Sequence, residues 1–296
     1  YFDPYPSEGI APTDAIRNWW ELQLTLRQHP DKEVVFLMGN HDAHYVSATF
    51  RRLAQGSRFS ARWRATISVL LGSVDLQIAH ETRINGKRIL VDCGLQQGRD
   101  EVSNEEFPFA AGSIDYVLVT HAHIDHSGRI PMLIKQGFQG RILTTRLTAD
   151  LLDIMLLDSA HIQEQDAEWK NRKGERSGAP HVEPLYTIED AERVRQYVTT
   201  CEYGEKVELC EGVTVEFVDA GHLLGSASII VDATEGGVTK RLVFSGDLGN
   251  VDQPIIRDPE FLEEADYVVM ESTYGDRDHE VPESYTEALA QLIDDT

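Results

Sequence analysis

The sequence contains little cysteine and no long hydrophobic run. Three cysteines, an odd number without a CxxC spacing, exclude a disulfide framework in a chain of 296 residues. No uninterrupted apolar stretch approaches the ~18 residues of a membrane-spanning helix, and no basic-then-apolar signal peptide stands at the start of the sequence. We therefore expect a cytoplasmic protein with no membrane partner.

Positive charge is also scarce. The 27 lysines and arginines face 50 aspartates and glutamates, which gives a formal net charge of −23. This surplus excludes a protein that holds nucleic acid by bulk charge alone, although a local basic segment or bound metal ions would offset it. Residues 170–181 include four lysines and arginines, and a nucleic-acid contact and a solvated loop are equally good interpretations of that stretch.

The composition and patterning predict a folded chain with a distinct head. Apolar residues make up 41% of the sequence, which is enough for a buried core. Residues 1–66 are predicted as a short α/β segment, with a helix over 13–28, a strand over 33–38 and an arginine-rich junction over 51–64. Residues 67–275 are predicted as the main domain.

Short β-rich runs and amphipathic stretches fill this main domain. The dipeptide Asn85-Gly86 lies between two β-rich runs and is a strong hairpin signal. Strands are predicted at 74–79, 87–92, 114–120, 141–144, 206–209, 213–219, 227–233, 240–245 and 266–271, and helices near 126–137, 147–170, 188–200 and 283–294. This pattern indicates an α/β fold in which two mixed sheets pack face to face with helices outside.

The most informative motif is His121-Ala122-His123-Ile124-Asp125-His126, which directly follows the apolar run 116–119. A turn between a strand and a helix lets four side chains at such spacings converge. Imidazole nitrogens and carboxylate oxygens are suitable ligands for zinc. The motif therefore predicts a metal site at the end of a buried strand.

Two further residues follow strands in the same way. His222 comes after the run 213–219, and Asp247 comes after the run 240–245. Each lies beside glycine, so each alone would be explained equally well as a turn residue. Together with the histidine motif, both are predicted as additional metal ligands.

These motifs resemble the β-CASP subfamily of metallo-β-lactamase-fold ribonucleases. The resemblance rests on HAHIDH, on Asp92 in ILVDCG, on His222, on Asp247 in SGDLG and on Glu271 in ESTYG, and it extends over about residues 84–296. It implies an αββα sandwich. It also implies that residues 276–296 begin the inserted β-CASP domain, so the sandwich is expected to be incomplete at its C-terminus.

The resemblance implies a role for each of these residues. His121, His123 and His222 would hold one Zn²⁺, Asp125 and His126 would hold a second, and Asp247 would bridge both, with Mn²⁺ as an alternative ion. Asp92 would orient the ligand loop. Asp125 and Glu271 are the expected catalytic residues, Glu271 by supporting a general-acid histidine later in the family's sequence.

The implied reaction is hydrolysis of phosphodiester bonds in single-stranded RNA by a hydroxide shared between the two ions. Activity is expected to be impaired in a truncated chain. Two alternatives stay open: a hydrolase of small esters or thioesters on the same fold, and a metal-binding fragment without catalysis. Homodimerisation is also left open.

The head resembles another family of metal enzymes. Gly39-Asn40-His41-Asp42 after an apolar strand is similar to the GNHD block of calcineurin-like metallophosphoesterases, and Asp3 is similar to the end of their GDxxD block. The resemblance implies that Asn40 is a vestigial metal ligand and that His41 would contact phosphate. The other ligands of that family have no counterpart here, so no phosphoesterase activity is expected.

Overall fold

The computed structural model describes residues 80–96, 104–174, 178–253, 255–262, 264–271 and 285–294. The predicted head, with its helix over 13–28, and the predicted strand over 74–79 lie outside these ranges, as do Asp3, Asn40 and His41. By its internal contacts the chain divides into two units. Of the described residues, 80–271 belong to one unit, and the ten-residue helix Tyr285–Asp294 (α5) belongs to the other.

The first sheet has five strands in the order β1-β2-β3-β4-β5. They are His80–Ile84 (β1), Lys87–Val91 (β2), Tyr116–Leu118 (β3), Arg141–Thr145 (β4) and Val198–Cys201 (β5). β1 and β2 are antiparallel, and β2 to β5 run parallel. The predicted hairpin turn is confirmed, because Asn85 and Gly86 have the positive φ angles of 48° and 77° that a tight hairpin turn between strands requires.

The second sheet also has five strands, in the order β10-β9-β8-β7-β6. They are Val207–Cys210 (β6), Val213–Asp219 (β7), Ala227–Glu235 (β8), Val238–Phe244 (β9) and Tyr267–Val269 (β10). β6 to β9 are antiparallel neighbours, and β10 is parallel to β9. β7, β9 and β10 therefore run in the same direction.

Helices connect the strands of the first sheet. They are Ile124–Ser127 (α1), Ile130–Lys135 (α2), Arg146–Gly174 (α3) and Ile188–Arg193 (α4). Thr187 begins α4 through a capping box, in which its hydroxyl oxygen accepts from the Asp190 backbone and the Asp190 carboxylate accepts from the Thr187 backbone. Among the described residues, every helix is too short or too polar to cross a lipid bilayer.

The core lies on both faces of the first sheet. Ile89 and Val91 of β2 belong to a buried cluster shared with Phe217 of the second sheet, whereas Leu90 belongs to a cluster that includes Leu152 of α3. This alternation follows from the two-residue period of a strand. The predicted α/β sandwich of two face-to-face sheets with helices outside is confirmed.

The connectivity brings several loops to one edge of the sandwich. Because β2, β3 and β4 are parallel, the residues that follow them lie at the same edge of the first sheet. Because β7, β9 and β10 share a direction, the residues that follow them lie together at one edge of the second sheet. The polar residues predicted as ligands all follow β3, β7 or β9.

Two predicted helices differ from the structure. The helix predicted over 188–200 ends at Arg193, and a 3₁₀ turn, Val194–Gln196, leads into β5. The β-branched run Val198-Thr199-Thr200 favours a strand, and pairing with β4 stabilises it at the sheet edge. The helix predicted over 126–137 is two short helices, α1 and α2, separated by Gly128 and Arg129.

Candidate metal centre

Four polar side chains converge where the strands end. One ligand atom from each of His121, His123, His222 and Asp247 lies within 4.8 Å of the others. His123 Nδ1 lies 3.0 Å from His121 Nε2 and 3.1 Å from His222 Nε2. Asp247 Oδ2 lies 3.7 Å from His121 Nε2 and 3.6 Å from His222 Nε2. The three histidines predicted to hold one ion and the carboxylate predicted to bridge both ions are therefore neighbours.

His126 lies on the other side of the Asp247 carboxylate. Its Nε2 is 3.0 Å from Asp247 Oδ1, so the two carboxylate oxygens face different histidines. Asp125 is half-buried in the first turn of α1. Burial lowers the pKa of His123, and the negative charge of Asp125 partly opposes that shift. The cluster of four does not include Asp125 or His126, but His126 adjoins the cluster through Asp247.

Asp92 fixes which nitrogens of two histidines carry protons. Its carboxylate accepts the backbone N–H and the hydroxyl of Thr120, both across 2.8 Å. The Thr120 oxygen then accepts from His121 Nδ1, 3.0 Å away, so His121 presents Nε2 as a lone pair. Asp92 Oδ2 also accepts from His126 Nδ1 across 2.8 Å. Both Nε2 atoms consequently face the centre.

Burial and neighbouring charges set the protonation of the centre without a metal ion. Burial, reinforced by the nearby His126, lowers the pKa of His121 to about 2. Burial alone would lower the pKa of His126, but the Asp92 charge and hydrogen bonds to Asp247 and Asp92 raise it to about 10. Burial would raise the pKa of Asp247, but the hydrogen bond and charge of His126 lower it to about 2.

The donor set fits a divalent cation. A neutral His123 carries at most one proton on Nδ1, which can serve only one of the two nitrogens beside it. A cation, by contrast, accepts a lone pair from each of the three rings. Imidazole nitrogens with an adjacent carboxylate are typical zinc donors, and a carboxylate behind a histidine ligand fixes its tautomer. These residues could therefore hold a metal.

A family comparison agrees with this geometry. The model described as a beta-lactamase superfamily domain matches residues 87–295. The chain belongs to the beta-lactamase superfamily. The predicted metallo-β-lactamase fold is thereby confirmed. The resemblance of residues 1–66 to metallophosphoesterases lies outside the match and stays a prediction.

Curated relatives of this superfamily member have names that refer to RNA or transcription. Ribonuclease TTHA0252 of Thermus thermophilus is 36% identical over 217 residues, which are 73% of this chain and 44% of that protein. Transcription termination factor FttA of Methanothermobacter thermautotrophicus is 28% identical, over 70% of this chain and 31% of its own length. Both are members of the β-CASP family, to which the sequence motifs pointed. The chain spans less than half the length of these relatives.

A solved structure is also similar to this superfamily member. MEM-A1, a subclass B3 metallo-β-lactamase isolated from a soil metagenome library, is 20% identical and aligns with a TM-score of 0.34. The alignment covers 56% of this chain and 55% of that one. A similarity of this size supports no conclusion about function.

In this beta-lactamase superfamily domain, the His222 loop is held by residues that were not predicted as part of the site. The Ser226 hydroxyl oxygen accepts the backbone N–H groups of His222 and Leu223, both across 3.1 Å. The hydroxyls of Thr145 and Thr148 both donate to the Gly225 carbonyl, across 2.7 and 2.8 Å. The glycine in the run Leu224-Gly225-Ser226 was the available signal, because Gly225 has a φ of 84°.

Glu271 lies beside the loop that carries Asp247. Its Oε1 accepts the backbone N–H of Leu248 across 2.6 Å, and its own N–H donates to the Ser245 hydroxyl. Leu248 is the residue after Asp247, so this hydrogen bond fixes the backbone that carries the Asp247 side chain. The ESTYG motif predicts a catalytic role for Glu271 but not this contact, which joins the ends of two parallel strands.

The cluster of four in the superfamily domain does not include His161 or Cys93. His161 is exposed on α3, with its Nε2 2.8 Å from Gln165 Nε2. Cys93 is fully buried, and burial raises the pKa of its thiol to about 12. It packs as a small apolar residue in the core.

Proposed function

We propose that this chain carries the metal centre of a β-CASP-type ribonuclease that hydrolyses phosphodiester bonds in single-stranded RNA. The observation that carries the proposal is the convergence of three imidazole nitrogens beside Asp247, with His121 Nε2 held as a lone pair by Thr120 and Asp92. The name of the ribonuclease relative supports RNA as the substrate. Because the chain spans less than half of that relative, the activity of the whole protein is part of the proposal.

The donor chemistry suits two divalent cations, for which we propose zinc with manganese as the alternative. His121, His123 and His222 would hold one ion, Asp125 and His126 would hold the other, and Asp247 would serve both. When bound, such ions lower the pKa of water and neutralise the charge of a phosphodiester. They would also supply the positive charge that a chain of net charge −23 lacks.

The chain's own residues prepare the centre. Asp92 keeps the protons of His121 and His126 on Nδ1, directly for His126 and through the Thr120 hydroxyl for His121. Glu271 holds the backbone beside Asp247 and so fixes the carboxylate between the histidines. Support of a general-acid histidine by Glu271 stays a prediction, as do a catalytic role for Asp125, a cytoplasmic location and homodimerisation.

The proposal is tested by assaying a 5′-labelled single-stranded RNA on a denaturing gel after reconstitution with zinc or with manganese. We expect cleavage that is abolished by a chelator and by His121→Ala. His161→Ala is the matched control, because it removes an exposed histidine remote in sequence from the ligand loops and should retain full activity. Zinc binding with thioester hydrolysis but no RNA cleavage would favour the small-ester hydrolase. Zinc binding without any hydrolysis would favour a metal-binding fragment.

A further inference from the structure

Arg129 is the largest fully buried side chain in the described part of the molecule. It lies three positions after His126, between α1 and α2, and it is not a predicted ligand. Its Nε donates to the Gly94 carbonyl across 2.9 Å, and its Nη1 donates to the Glu106 carbonyl across 3.3 Å. The guanidinium carbon lies 4.6 Å from the centre of the Phe107 ring.

This buried cation is costly. Among the described residues no carboxylate pairs with Arg129, and its Nη2 has no hydrogen-bond partner. A buried donor without an acceptor, and a buried charge without a counter-charge, both oppose folding. A methionine of similar length would avoid both costs. The two hydrogen bonds that the Arg129 side chain does make should therefore serve something other than packing.

The Gly94 carbonyl that accepts from Arg129 belongs to the loop that orients the metal ligands. Gly94 is two residues after Asp92, whose carboxylate accepts from His126 Nδ1. The Cys93 N–H donates to the His126 carbonyl across 2.7 Å. A Cβ placed on Gly94 would lie 1.5 Å from the Asp125 carbonyl oxygen, so the backbones of the two loops are in direct contact.

We propose that Arg129 is a positioning residue of the metal centre: its guanidinium holds the Gly94 and Glu106 carbonyls and so keeps the Asp92 carboxylate against His126. The proposal rests on the proposed function only in requiring a metal ion at this centre. The planar fork is the essential feature, because two fixed N–H groups reach two carbonyls at once. A lysine ammonium, which is compact and lies on a flexible stem, does not reproduce that geometry.

The test is a double-mutant cycle on zinc affinity, measured by competition with a chromophoric chelator. Arg129→Met should weaken zinc binding by about 10- to 100-fold, the usual effect of losing a residue that orients a ligand. Asp92→Asn should weaken it by at least as much. If Arg129 acts through Asp92, the double variant should lose little more than Asp92→Asn alone.

Two further variants separate positioning from general stability. Phe138→Leu shortens a fully buried side chain in the core cluster against which Phe107 packs, and it should lower the melting temperature without changing zinc affinity. Arg129→Lys, which keeps the charge, should fold and still bind zinc more weakly than the wild type. Circular dichroism of the metal-free variants establishes that each is folded at the temperature of the titration.

Each outcome decides between the two proposals. Wild-type zinc affinity in Arg129→Met or Arg129→Lys, or full additivity in the cycle, would overturn the role of Arg129 and leave the proposed function intact. A wild-type chain that binds no zinc would overturn both. A weakened Arg129→Met that couples to Asp92→Asn, beside an unaffected Phe138→Leu, would support the positioning role.

Discussion

His126 donates its Nδ1 proton to Asp92 across 2.8 Å, and both side chains are buried. Asp92 reaches this position with a φ of 60°, a left-handed conformation that costs a non-glycine residue on the order of 1 kcal/mol or more. In return, one carboxylate accepts from Thr120 twice and from His126 once. The end of β2 and the loop after β3 therefore position one another, and the arrangement has measurable consequences.

The first consequence concerns the pH dependence of stability in the metal-free protein. The pKa of His126 is about 10 in the folded chain and ~6.5 in an unfolded chain. The folded state therefore keeps a proton that the unfolded state has lost at intermediate pH. The stabilisation is complete below about pH 6.5 and is lost as the pH rises toward the folded pKa.

Between about pH 7 and 8, where cysteine thiols are still largely protonated in the unfolded chain, we expect the free energy of unfolding to fall by about 1.4 kcal/mol per pH unit. His121, whose pKa is lowered to about 2, is neutral in both states there and adds no slope. Urea titrations in a chelating buffer at several pH values measure this change in the free energy of unfolding. His126→Asn should remove the slope, and a flat wild-type profile would contradict the assignment.

The convergence of the candidate ligands could be predicted from the sequence because each follows an apolar strand. His121 comes after β3, His222 after β7 and Asp247 after β9, and strand direction alone brings such positions to one edge. The residues that hold them could not be predicted. Thr148 and Gly225, for example, are 77 positions apart in sequence, so their contact depends on the packing of α3 against the second sheet's loops.

The helix predicted over 188–200 was wrong beyond Arg193 for a related reason. An amphipathic helix runs through a 3₁₀ turn directly into Val198, without glycine or proline to mark the boundary. Only pairing with β4, whose residues Ile142 to Thr145 face Val198 to Cys201, decides the conformation. A local pattern cannot report a partner strand that lies more than 50 positions earlier in the chain.

Gly94→Ala should disrupt the contact between the loop after β2, which carries Gly94, and the loop after β3, which carries Asp125. The added Cβ would lie 1.5 Å from the Asp125 carbonyl oxygen, so the backbone must move, at a cost of more than about 3 kcal/mol. Zinc affinity should fall with it. Gly86→Ala is the control, because its Cβ meets nothing within 4 Å and only its φ of 77° opposes the change, by about 1–2 kcal/mol. Equal losses of zinc affinity in both variants would show that the contact between Gly94 and the Asp125 backbone does not affect metal binding.

Glu271 can be tested by separating metal binding from RNA cleavage. Glu271→Ala removes the acceptor for Leu248 N–H and should lower zinc affinity about 10-fold. Glu271→Gln keeps an acceptor oxygen and should retain most of the affinity, whereas exposed Glu192→Ala should change nothing. If Glu271→Gln binds zinc normally but loses cleavage, the carboxylate also has the catalytic role that the sequence motif predicts.

Zinc should stabilise the folded chain, since ligands that converge only in the folded state transfer their binding energy to folding. At a free zinc concentration 100 times the dissociation constant, one site adds about 2.7 kcal/mol. We expect a chelator to lower the melting temperature and zinc to restore it. His222→Ala should abolish the zinc-dependent part, because its Nε2 lies 3.1 Å from His123 Nδ1 within the cluster. His161→Ala, on the exposed surface of α3, should respond to zinc as the wild type does. A zinc response of equal size in His222→Ala would place the bound metal elsewhere in the chain.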